Sequence, residues 1–181
     1  MDNNIKSTQL LRRANNFVDD ATNKLSELII LNKKLKQDSI EKDYHEQILS
    51  INANVPTENL VSFLHYQKAI IEHQKRYNEK LKEISLLVSM VFLYSLQVMN
   101  LSLDDHNEID ISTKELSKNT FYKGINFVRQ YKLEKIIDLS PLISLIIELE
   151  FKITGDNVNQ KNILGRISKL KSIIIEKNLV K

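Results

Sequence analysis

The sequence predicts an all-α helical bundle with long, coiled-coil-like helices in its N-terminal half and a compact set of shorter helices in its C-terminal half. Three observations predict it. Only three Gly and two Pro occur among 181 residues, too few turn residues for a sheet protein with many reversals. Leu11, Ala14, Val18, Ala21, Leu25, Leu28, Asn32 and Leu35 keep a strict 3,4 spacing, the signature of a helix with one apolar face. Residues 84–103, ISLLVSMVFLYSLQVMNLSL, run for twenty positions without a charge, as a helix surrounded by neighbours does. The chain divides into residues 1–55, 56–111 and 112–181, which can together form one domain.

The first helix is expected from Ser7 to Lys36, with Leu10, Phe17 and Ile29 beside its seam. Packing on the chain's own core is the favoured use of that seam; an intermolecular coiled coil with Asn32 setting the register is the other. Helical spacing resumes with Ile40, Tyr44, Ile48 and Ile51 before NANVPTEN breaks the chain. There Pro56 disfavours helix at Val55, and Thr57 can cap the next helix. From Thr57 to Leu103 neither Gly nor Pro intervenes, so one helix of roughly 70 Å and two helices with a bend near Ile84 are both allowed. The stripe Phe63, Ile70, Tyr77, Leu81, Ile84, Val88 and Val91 is helical in period.

The acidic stretch LDDHNEIDIS reads as an exposed connection. Ser112 and Glu115 have capping-box spacing for a helix reaching about Tyr131. Ser140 and Pro141 mark another start, and Gly155 is placed to end that helix. Asn157 with Gln160 opens the last, whose apolar face is Ile163, Ile167, Leu170 and Ile174.

Residues 84–103 are also long enough to span a bilayer, with lysines before them and acids after. Ser85, Ser89, Ser95, Gln97, Asn100 and Ser102 weaken that reading, because each needs a partner in hydrocarbon. The amphipathic helices on either side weaken it further, since their apolar faces need a shared core. A buried central helix is therefore preferred.

The chemistry of catalysis is not visible. Cysteine is absent, which removes disulfides, thiol nucleophiles and thiolate metal sites. His65 and His73 stand two helical turns apart, about 12 Å, too far to share a metal, and His45 follows Glu41 by four residues, a surface pair that offers only two ligands. His106 in DDHNE lacks the glycine and terminal acid of a calcium loop. Gly124, Gly155 and Gly165 are scattered singly, so no phosphate-cradling loop exists. No catalytic residue, cofactor or metal site is predicted.

These residues support three functional readings. The preferred one is a non-enzymatic interaction or adaptor protein that binds itself or another protein through an amphipathic helix surface. It would use Leu25, Leu28, Asn32 and Leu35, with Tyr66 and Tyr77 as exposed aromatics. The second is a nucleic-acid-associated accessory protein. The net charge of +3 permits but does not indicate it, and Lys161, Arg166, Lys169 and Lys177 of the basic last helix would carry it. The third, ranked last, is a membrane-active protein led by residues 84–103. No secretory signal is recognisable at the start, so the expected location is the cytoplasm, or a host cell entered without a cleavable signal.

Overall fold

The computed structural model describes residues 3–51, 56–103, 109–153 and 158–178. Among these the fold is all-α, without strands: two long helices packed as a hairpin, then shorter helices. Helix α1 spans Asn3–Ile51, α2 Thr57–Leu101, α3 Ile111–Gln130, α4 Ile143–Lys152 and α5 Val158–Asn178, with 3-10 turns at Leu133–Lys135 and Ser140–Leu142. The two segments expected before Ile51 are one uninterrupted helix, because no Gly or Pro lies between them to break it. The stretch from Thr57 is likewise one continuous helix to Leu101, not two.

Internal contacts group the chain into two units: residues 1–22 with 84–181, and residues 23–83. In the first, Thr8 pairs with Thr113 at 3.1 Å, Asn15 donates to Thr120 at 3.2 Å, and Lys123 meets Asp19 at 3.1 Å. The numbers rise together, so α1 and α3 run parallel. Helix α2 packs on α3 in the opposite sense, with the Phe92 and Phe121 rings edge to face at 5.4 Å. The apolar residues Ile84, Val88, Val91, Phe92, Leu96, Val98 and Met99 of α2 are buried in this unit. Ser95 also lies inside, its hydroxyl donating to the Val91 carbonyl one turn earlier at 2.9 Å, so its polar group is satisfied within its own helix. Ser117 of α3 then donates to the Ser95 carbonyl at 3.3 Å. The predicted face of the last helix, Ile163, Ile167, Leu170 and Ile174, is buried as well.

In the second unit the hairpin is antiparallel: Lys24 pairs with Glu83 at 2.6 Å, Glu27 with Lys80 at 2.8 Å and Asp38 with His73 at 2.7 Å. Only two of the 29 buried apolar side chains among the described residues belong to it, Leu25 and Leu28. Nine of the 19 large apolar side chains that are exposed belong to it too. Two helices facing one another bury a single seam, and the flanks of each remain wet.

Helix starts differ locally from expectation. Helix α3 is capped by Asp110, whose carboxylate accepts from the Thr113 N–H at 2.6 Å and from the Ser112 hydroxyl at 2.9 Å. Ser112 thus serves the cap instead of being it. Ser140 does not cap α4 directly: its N–H and hydroxyl both donate to Asp138 Oδ1, and the Ser140–Leu142 turn precedes the helix. The DDHNE portion of the acidic connection, Gly155 and Asn157 lie outside the described residues.

The two described glycines differ in what surrounds them. A methyl group added at Gly124 would stand 3.1 Å from both Phe92 Cε1 and Val91 Cγ1, whereas one at Gly165 meets nothing within 4 Å. Phe92 is fully buried against Phe121, so making room for that methyl means shifting a packed core ring. Gly165→Ala is therefore expected to stabilise the protein by about 0.5–1 kcal/mol through helix propensity. Gly124→Ala should destabilise it by about 1–3 kcal/mol through overpacking; thermal unfolding of the pair, which must move in opposite directions, checks both.

The cap gives a pH prediction. Hydrogen bonding, first to the Thr113 N–H, lowers the Asp110 pKa below its ordinary 3.8. A carboxylate with a depressed folded pKa contributes stability above its unfolded pKa and loses it as pH falls through the folded one. Asp110→Asn keeps a capping side chain without the charge, so the melting-temperature advantage of the parent protein over this variant should vanish as pH drops below about 4.

Candidate functional site

Two surfaces combine the residues picked from sequence with others. On the hairpin unit, Leu25 and Leu28 are buried, so they hold the two helices together and offer nothing to a partner in this state. Asn32 is exposed and Leu35 half-buried; both line an open groove of about 410 Å³ with Lys36, Ser39, Ile40, Ile70 and Gln74. Tyr66 and Tyr77 are half-buried and not exposed. Tyr66 stacks on His45 at 5.8 Å and 18°, and His65 meets its edge.

The exposed apolar residues beside this groove were not singled out by the seam. Ile29, Ile40, Tyr44 and Ile51 of α1 fall within an arc of about 60° at 100° per residue. Leu60, Leu64 and Ile71 of α2 fall within about 40°. Each arc lies roughly 120° from its own helix's seam in the same rotational sense. In an antiparallel pair the same sense places both arcs on one side. The Asp38–His73 and His45–Tyr66 contacts set the heights: Ile40 is level with Ile71, Tyr44 lies within a turn of Leu64, and Ile51 within a turn of Leu60. Exposures of 69% for Ile40, 65% for Ile71 and 79% for Ile51 leave an apolar surface along this side of the hairpin. The signal in the sequence is an eleven-residue repeat, Ile29, Ile40, Ile51 on one helix and Leu60, Ile71 on the other, hidden by the stronger 3,4 seam.

The second surface lies between α3 and α5. A groove of about 300 Å³ is lined by Ile111, Lys114, Glu115, Lys118 and Tyr122 on one side and Asn159, Asn162 and Arg166 on the other. Lys169 lies over the Tyr122 ring, 4.8 Å from its centroid. The structure thus brings Arg166 and Lys169 together and adds Lys114 and Lys118 from a helix some fifty residues earlier. Lys161 is exposed and outside this lining, and the Lys177 side chain lies outside the described residues. Burial lowers the Arg166 pKa, with Tyr122 and Glu115 opposing.

Among the described residues, no three His, Asp or Glu side chains gather where a metal ion could be held; His106 lies outside them. One helix, α2, is long and apolar enough to cross a membrane by length and composition, and 44% of that window is buried inside the fold. No family model, curated protein or solved structure matches this chain.

Proposed function

We propose that the protein is a non-enzymatic helical interaction protein that docks through the apolar side of its hairpin, and that the occupant is a second copy of the same chain. The observation that carries this reading is the patch formed by Ile40, Tyr44, Ile51, Leu60, Leu64 and Ile71 on a unit with almost no buried core of its own. Two such hairpins laid patch to patch make a four-helix bundle, which supplies the missing core to both. Residues 23–83 carry ten Lys and Arg against nine Asp and Glu, a mixed rim suited to pairing with itself and poorly suited to anionic lipid. Asn32 and Leu35, already in the adjoining groove, then contribute at the edge, while Leu25 and Leu28 serve from inside.

Burial of Phe92, Leu96 and their neighbours supports the core-helix reading of residues 84–103 over the membrane-active one. Insertion would require those side chains to abandon their packing.

Light scattering coupled to size exclusion tests the proposal. The parent chain should run as a dimer, and Ile40→Glu with Ile71→Glu should run as a monomer of unchanged helicity, since both positions are solvent-facing. A parent chain that stays monomeric at high micromolar concentration would exclude the second copy as occupant.

A further inference from the structure

We infer that the groove between α3 and α5 binds a phosphate group, carried by a nucleic-acid backbone or by a small phosphoanion. This is independent of the hairpin and of its partner. Lys114, Lys118 and Arg166 line the groove against a single acid, Glu115, and Asn159 and Asn162 add neutral donors. Lys118 is 3.3 Å from Glu115 and Glu115 also attracts Arg166, so one carboxylate is set against three cations and the groove keeps a net positive charge.

Arg166 is the central observation. Its side chain is half-buried and desolvated enough to lower its pKa, yet no hydrogen bond or ion pair to another described residue satisfies its guanidinium. A guanidinium held partly out of water with no direct hydrogen bond, attracted by Glu115 only at a distance, costs stability that a bound anion would recover. The guanidinium fork matches two oxygens of a phosphate, and flanking ammonium groups act as point charges on the rest. Lys169 is steered toward the same region by its cation–π contact with Tyr122. The groove's 300 Å³ is at the lower end for a ligand cleft, enough for one phosphate and its attached sugar. It is partly open to solvent, so a phosphate can enter from the surface.

Binding of a labelled DNA duplex at low salt, measured by fluorescence anisotropy, and of inorganic pyrophosphate, measured by calorimetry, tests the inference on the full-length chain. Lys118→Gln with Arg166→Gln should weaken whichever ligand binds by about tenfold or more. Glu115→Gln removes the competing carboxylate and should tighten it several-fold, a gain that damaged folding cannot produce. Lys135→Gln, outside the groove, should leave binding unchanged. If DNA binds, the double variant should also reduce the salt slope by about two, which assigns a backbone ligand; pyrophosphate bound without DNA assigns a free phosphoanion. Retention of neither ligand by the parent protein, or affinities indifferent to both the double variant and Glu115→Gln, would overturn the inference. So would polyglutamate binding more tightly than either ligand.

Discussion

The fold depends on the uncharged second half of α2 being enclosed by other parts of its own chain. Seven apolar side chains of that segment are buried, and at about 1.5–3 kcal/mol for each side chain fully removed from water no other element contributes as much among the described residues. Its neighbours are shaped to it. Gly124 lets α3 approach Phe92 and Val91 closely, Phe121 meets Phe92 edge to face, and Ser95 turns its hydroxyl back on its own helix so that the interior carries no unpaired group there. Polar contacts between α1 and α3, through Thr8, Asn15 and Asp19, then fix the register with which the core is closed.

The same two long helices meet different conditions along their length. Between residues 84 and 101, α2 contributes to a multi-helix core; between 57 and 83 it has only α1 as a partner within the hairpin unit. A two-helix contact buries one seam, and here that seam is closed by Leu25 and Leu28 and by ion pairs such as Lys24–Glu83 and Lys80–Glu27. Exposed ion pairs of this kind give orientation more than stability. The apolar residues left on one flank are thus a property of the architecture, and the interaction reading grows from that excess.

Periodicity made the helices and the core face of the last one readable in advance, because burial writes itself into spacing. Ile163, Ile167, Leu170 and Ile174 needed no structure to be assigned. Helix starts were less readable: Ser112 and Ser140 carry the right chemistry, yet Asp110 and Asp138 take the acceptor roles, since a carboxylate outcompetes a hydroxyl for nearby N–H groups. The spacing of Leu25 and Leu28 marks them as apolar seam residues and they are buried, but periodicity cannot say whether the partner surface belongs to the same chain. The α3–α5 groove was half visible. Arg166 and Lys169 stood out in a basic helix, whereas Lys114 and Lys118 become their neighbours only through tertiary packing, which no local pattern records.

Hydrogen exchange in plain buffer probes the enclosure of α2 most directly. In the Ile40→Glu, Ile71→Glu variant, whose hairpin is unpaired, amides of residues 88–99 should exchange at least ~100-fold more slowly than those of residues 60–76, because opening them requires the whole core to open while the hairpin can open locally. Equal and rapid exchange of both segments in buffer, with protection of residues 88–99 appearing only when lipid vesicles are added, would contradict the account.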